Sequence, residues 1–392
     1  MTSTYDALVV GAGPAGLATS AALSRAGVPH VVLERGDQIG QTWANLYDSL
    51  VLHTARGLSA LPGLRFPAST PLFPPRREFL AYLQRYASAF RLPIETHAEV
   101  TSLQRTGGIW TAHTTARLVQ ARTVVVATGI VSNPYVPEIA GRARFGGRIL
   151  HSAEYRRPEG FEGQRVLVVG AGNSAGEISV ELARAGANVT LAVRTGALVI
   201  PREMAGIPIQ YFAVALAALP RSAQQLTMAM MGRVSRLVRG PAVFPAPPSA
   251  SCPHVPLIGF HLADAVRGGT IRYKKGGVTE FTSDGARFAD DSEEPFDAVI
   301  LATGYRAAVG MVRDLIRLDD CGFALRRNRV ISVDQPGLYV VGHNYDIRGG
   351  LFNIGHDARL AAAHITARLR DTSRTPTETR PRPSERRSES SH

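Results

Sequence analysis

Long apolar runs are missing from this chain: no stretch reaches the ~20 consecutive apolar residues that a bilayer-spanning helix needs. The nearest approach, Tyr211 to Leu219, stops at Pro220. Cysteine is almost absent as well. The two that occur, Cys252 and Cys321, form no CxxC pair, which excludes a redox dithiol motif and a cysteine zinc site. They are expected as two separate structural thiols, and no metal is expected. Lysine is equally scarce: of 44 basic residues only Lys274 and Lys275 are lysine, although the net charge is +12. The arginines are scattered, with no basic helix and no aromatic-interleaved stripe, so nucleic acid is not the expected partner. Arginine also suits phosphate and pyrophosphate groups. A basic leader with a cleavage site is lacking too, since the chain enters the apolar run Ala7-Leu8-Val9-Val10 almost at once. The expectation is a cytoplasmic protein without integral membrane association. The remaining composition, 45% hydrophobic and 19% charged, is that of an ordinary globular chain.

An internal repeat organises the 392 residues. Gly11-Ala12-Gly13 recurs as Gly170-Ala171-Gly172, and the same offset maps Arg25-Ala26-Gly27 onto Arg184-Ala185-Gly186 and Arg35 onto Arg194. Each copy reads as an apolar strand, a Gly turn, a helix and a second apolar strand, which is the βαβ unit of a dinucleotide-binding fold. A second echo pairs Val124–Gly129 with Val299–Gly304, two buried strands that each end at a Gly turn (Gly129 and Gly304). These read as the exits of the two nucleotide domains. The expected fold is α/β, with two Rossmann-like domains and the second inserted into the first. The expected domain ranges are 1–157 and 295–370 for the first and 158–294 for the second. Pro75 to Phe90 carries Phe79, Leu83, Tyr86 and Phe90 at helical spacing. A Met- and Ala-rich helical insertion is expected at about 205–240, as packed helices or as the wall of a substrate channel. From Asp371 to His392 the tail is polar and Pro-rich without apolar periodicity, as in a disordered segment.

The two turns differ in what they can hold. In the first, Gly11 permits the tight turn, Gly13 lets backbone approach a pyrophosphate, and Gly16 lets the helix pack close to the strand. Glu34 follows at the end of the second strand, where a carboxylate accepts hydrogen bonds from a ribose, and Arg35 is next to it. This is the pattern of an FAD site. The second turn is Gly170-Ala171-Gly172-Asn173-Ser174-Ala175, with Ala175 in place of the third glycine. Val193 replaces the acid, and Arg194 stands where it can pair with a 2′-phosphate, so NADPH is the expected ligand. Two nucleotide sites without a dithiol leave hydride transfer from NADPH to flavin, with another final acceptor.

Between the two turns lies Phe145-x-Gly147-x-x-x-His151-x-x-x-Tyr155. This motif resembles the fingerprint of the flavin-containing monooxygenases, and the resemblance extends over residues 5–367. Gly40-Gln41-Thr42-Trp43 looks like that family's flavin-contacting loop, which implies cofactor contacts from Gln41 and Trp43. Ala302-Thr303-Gly304-Tyr305 looks like its late Gly turn. Gly172-Asn173-Ser174 and Pro201-Arg202-Glu203-Met204 are similar to the YUCCA group of indole-3-pyruvate monooxygenases, and His53 falls where animal-type enzymes carry asparagine near the reactive flavin carbon. Tyr155 departs from the Baeyer–Villiger subgroup, whose motif ends in tryptophan. In related flavoproteins a turn such as Gly342-His343-Asn344 lies against the flavin, which makes Gly342 a candidate contact and His343 a weaker one.

The resemblance implies FAD reduction by NADPH, capture of O₂ as a hydroperoxide on the flavin C4a carbon, and oxygen transfer to a small organic substrate. That substrate is a soft nitrogen or sulfur, or else a carbonyl or 2-oxo acid. His53 and His151 are the candidate catalytic residues, with His151 ordering the linker as its other reading. Two alternatives stay open on sequence: an NADPH-dependent flavin oxidase or reductase without oxygen insertion, and a flavin-binding protein without turnover. The sequence leaves open whether the chain forms a homo-oligomer.

Overall fold

The computed structural model describes residues 3–374 apart from 218, 249–251, 253, 254 and 347. Along the chain the elements that build the site begin with β1 (Ser3–Val10), α1 (Pro14–Arg25), β2 (His30–Leu33), α2 (Arg76–Ala89), β3 (Ile94–Glu95) and β4 (Leu118–Val126). Then come β5 (Arg148–His151), β6 (Arg165–Val169), α3 (Asn173–Arg184), β7 (Asn188–Val193), α4 (Ile209–Ala217) and α5 (Arg221–Arg239). The chain closes with β8 (Arg272–Lys275), β9 (Ala298–Leu301), β10 (Leu338–Val340) and α6 (Gly350–Arg374).

Two sheets result, the first a mixed sheet with a parallel centre and the second parallel throughout. The first runs β3-β2-β1-β4-β10 and the second β8-β7-β6-β9-β5. In both, the first strand of the repeat is central, with Leu8 opposite Val31 and Val124 in one and Leu167 opposite Thr190 and Val299 in the other. Strands covered on both faces need continuous apolar runs. Ala7–Val10, Val124–Val126 and Ala298–Leu301 are accordingly buried throughout. Proline at the first turn of α1 fixes its start, and α1 packs beneath the first sheet against the buried stripe Ala358, Ala361, Ala362 and Ile365 of α6. The expected amphipathic helix is α2, whose Phe79, Leu83 and Tyr86 are buried in the same core.

Three expectations change. β5 and β9 pair with each other and with the second sheet, Leu301 lying opposite both His151 and Val169. These two strands thus extend the second sheet outside the expected range 158–294. Apolar run length cannot say which sheet a strand joins; pairing register decides it. The C-terminal helix continues through Arg374, so residues 371–374 of the expected tail are helical, and 375–392 lie outside the described residues. Cys252 and Cys321 are disulfide-bonded and not separate thiols, with Cα atoms 5.4 Å apart. The bond ties the segment after the insertion to a turn of the first domain, a proximity that a sequence separation of 69 residues conceals. The insertion forms a short hairpin, Glu203–Pro208, followed by α4 and α5.

The repeat is used twice to the same end. Gly11 has φ 103°, and a Cβ there would stand 2.8 Å from the Ala127 carbonyl oxygen; a Cβ on Gly170, at φ 137°, would collide with the carbonyl oxygen of Ala302. Substitution there incurs both backbone strain and a clash with main chain that cannot move aside. Gly170→Ala is expected to destabilise the protein by about 2 kcal/mol or more, read as a fall in the urea midpoint.

Candidate functional site

A single large cavity, about 1740 Å³, runs from the first Gly turn across to the second domain. Gly13 caps α1 in an extended conformation with no side-chain cap, and a Cβ placed on it would meet nothing within 4 Å. The helix N-terminus therefore opens onto an empty cradle with free amides, the geometry that receives a pyrophosphate. A Cβ on Gly16 would collide with the Gly11 carbonyl, so α1 can approach this closely only because residue 16 is glycine. Glu34 is buried at the end of β2 and already ties the turn: its carboxylate accepts from Ala12 N at 2.7 Å and Gly36 N at 3.0 Å. Each oxygen retains a lone pair for a ribose hydroxyl.

Arg35 donates to Ser132 O at 3.3 Å on the rim. Gln41 Oε1 is buried beside the cavity with no partner among the described residues, an acceptor that a bound ligand would satisfy. Trp43 packs edge-on against Phe79 at 4.5 Å. Gly129 turns the chain at φ 81°, and at Gly342, φ 88°, an added Cβ would stand 2.8 Å from the Ala15 side chain. Gly11, Gly13, Glu34, Arg35, Gln41, Trp43, Gly129 and Gly342 all line this one cavity. The residues present fit FAD.

The second turn repeats the geometry. Gly172 caps α3 in the same extended conformation, and a Cβ there again meets nothing within 4 Å. Ala175 is fully buried, its methyl accepted where Gly16 would tolerate none. Asn173 spans to the neighbouring loop, donating to Pro256 O and accepting from Ile258 N at 2.8 Å, and it lines the cavity together with Ser174. Gly170, Gly172, Ala175 and Gly304 lie outside the cavity lining. So does Arg194, whose exposed chain runs over Gly277 with Cγ 3.4 Å from that glycine's added-Cβ position. Val193 pairs with Lys275 at the end of β8, so a second cation ends the adjacent strand. Lys274 is tied to Asp290, whereas no partner is seen for Lys275 among the described residues. Sequence reasoning passed over Lys275; its signal was that it is one of only two lysines. These residues fit NADPH.

The structure separates the two candidate histidines. His151 is buried, with Nδ1 accepting from Ala153 N at 3.0 Å and Nε2 facing Gly304 O at 3.1 Å, and its ring packs edge-on with Tyr305. Burial lowers its pKa. It lies outside the cavity lining, and both ring nitrogens are engaged by backbone. His53 lines the cavity. Its Nε2 meets Glu177 Oε1 at 2.7 Å, and Tyr47 donates to Glu177 Oε2 at 2.5 Å. Glu177 is on α3 of the second domain, whereas Tyr47 and His53 belong to the first. Burial alone would push the Glu177 carboxyl up, but the hydrogen bonds from His53 and Tyr47 hold it below the usual range. Burial and the Glu177 charge push the Tyr47 phenol well above its ordinary value. One turn on, Glu181 accepts from Tyr155 at 2.8 Å, and Arg202 and Gln210 donate to the carbonyls of Leu52 and His53. Sequence reasoning missed Glu177 and Glu181; their spacing of four on one helix face was the available signal.

Two open helix N-termini at the carboxyl ends of two parallel sheets, sharing an apolar cavity, define a two-dinucleotide oxidoreductase. Comparison with known proteins narrows this. A family model described as pyridine nucleotide-disulphide oxidoreductase matches residues 8–204. The indole-3-pyruvate monooxygenase YUCCA1 of Oryza sativa subsp. japonica is 35% identical over 94% of this chain and 93% of its own. The probable indole-3-pyruvate monooxygenase YUCCA1 of Arabidopsis thaliana is 39% identical over 78% of this chain and 76% of its own. A flavin-containing monooxygenase from Stenotrophomonas maltophilia superposes with a TM-score of 0.74 at 26% identity, covering 94% and 99% of the two chains. The chain belongs to the flavin monooxygenases of the pyridine nucleotide-disulphide oxidoreductase family, with YUCCA enzymes among its relatives. It is an FAD- and NADPH-dependent monooxygenase acting on a small organic substrate with O₂. Among the described residues no helix is long and apolar enough to cross a membrane.

His343, beside the Gly342 turn, is 2% exposed with both ring nitrogens unpartnered, and burial lowers its pKa to about 3. The unfolded chain, titrating near 6.5, then binds the extra proton, so stability is lost as pH falls below about 6.5. Between pH 8 and pH 5 this residue is expected to remove about 2 kcal/mol. Urea unfolding of wild type and His343→Gln at the two pH values checks it; the variant is expected to lose less.

Proposed function

We propose that FAD lies along Gly11, Gly13, Gly16, Glu34, Arg35, Gln41, Trp43, Gly129 and Gly342. NADPH lies on Gly170, Gly172, Asn173, Ser174 and Ala175 with Gly304 at its edge, and its 2′-phosphate lies between Arg194 and Lys275. The observation that carries this reading is the continuity of one cavity from Gly13 to Asn173 and Ser174. Bound FAD supplies the two-electron path from NADPH to O₂. The chain's own share is to orient both dinucleotides, to keep water from the reacting atoms with apolar walls such as Leu52, Ile200, Ile209 and Leu216, and to offer His53 as the proton-handling group.

For substrate we propose an aromatic 2-oxo acid, the class for which the YUCCA relatives are named. Arg233 of α5 lines the cavity, has no partner among the described residues, and suits the carboxylate. We place the enzyme in the cytoplasm, where NADPH is supplied.

NADPH consumption in air with a panel of amines, thioethers and 2-oxo acids, with hydrogen peroxide followed alongside, tests the reading. A 2-oxo acid is expected to yield oxygenated product and suppress peroxide. Peroxide matching NADPH for every compound would move the assignment to an NADPH-dependent oxidase or reductase.

Arg194→Ala is expected to raise the KM for NADPH roughly 10- to 150-fold, the worth of a charge-assisted contact. The KM for NADH should change little, and equal effects on both would separate Arg194 from the 2′-phosphate.

A further inference from the structure

Glu177 stands outside every role assigned so far. It projects from the first turns of the helix that follows the second Gly turn, and it takes one proton donor on each carboxylate oxygen, His53 on Oε1 and Tyr47 on Oε2. Arg202 and His261, from the two other segments of the second domain nearby, add positive or polar surroundings. The buried Nε of Arg202 and Nε2 of His261 have no partner among the described residues.

A carboxylate so placed stays ionised and carries no proton of its own. The hydrogen at the 2.7 Å contact must then come from the imidazole, so His53 holds its proton on Nε2. No partner is seen for Nδ1 among the described residues, and the ring lines the cavity. We propose that Glu177 is a positioning residue that fixes His53 as the Nε2–H tautomer, leaving the Nδ1 lone pair as the proton acceptor available to the cavity. Because the two residues come from different domains, the acceptor is assembled only when the second domain is docked on the first. The inference rests on the reading of His53 as the proton-handling group.

The test uses the FAD-loaded enzyme labelled with ¹⁵N-histidine at a pH where imidazoles are neutral, His53 signals being identified by their absence in His53→Asn. Wild type is expected to show Nε2–H at His53. Glu177→Gln, of the same shape without the charge, is expected to lose that preference and to lower oxygenated product roughly 10- to 100-fold, as loss of an orienting partner does. In a His53→Asn background the same substitution is expected to cost little more. An unchanged tautomer in Glu177→Gln, or a loss that adds in full to that of His53→Asn, overturns the proposal. Should Glu177→Gln fail to fold, Glu177→Asp withdraws the carboxylate by one methylene and is expected to weaken the Nε2–H preference; an unchanged tautomer again overturns it. Product formation unaffected by His53→Asn would instead defeat the underlying reading of His53, whatever its tautomer.

Discussion

Everything in this molecule depends on main chain passing close to main chain at the ends of two central strands. At Gly11 the chain turns under the carbonyl of Ala127, and at Gly170 under the carbonyl of Ala302. No side chain fits either place, and the close passage aims the next helix so that its free amides face open space over Gly13 and Gly172. An anion at each cradle then meets oriented N–H groups that cost no reorganisation. Strand order, helix placement and cavity position follow from this twice-used turn, which is why the two halves superimpose in sequence only at the turn and at the residues that frame it.

Two nucleotide sites would be of little use if they moved independently. What holds them is a polar seam in otherwise apolar surroundings: Glu177 and Glu181 on one face of α3 meet His53, Tyr47 and Tyr155, and Arg202 and Gln210 hold the carbonyls of Leu52 and His53. Half-buried carboxylates are costly without donors, and here the donors to Glu177 and to Glu181 Oε2 come from the first domain or the linker that leaves it. The seam therefore specifies one docking geometry and places a histidine at the cavity wall. The Cys252–Cys321 bond adds a covalent tie between the same two domains. The linker behind the seam is fastened by His151, whose two ring nitrogens are both consumed by backbone.

The sequence by itself determined the two Gly turns, the parallel α/β architecture and the pair of cofactors, FAD and NADPH. Each of these rests on local chemistry: glycine where φ is positive, a carboxylate or an arginine at a strand end, an apolar run long enough for a buried strand. The relation to flavin monooxygenases was equally legible, because its motif is contiguous from Phe145 to Tyr155. Tertiary structure alone decided which sheet Arg148–His151 and Ala298–Leu301 join, since their apolar character suits either and only hydrogen-bond register distinguishes them. It alone placed His53 at the cavity wall and engaged both ring nitrogens of His151 with backbone. It brought Glu177 to His53 across 124 residues, and Cys252 to Cys321 across 69. Such meetings depend on how whole domains pack, and no local pattern of residues encodes them.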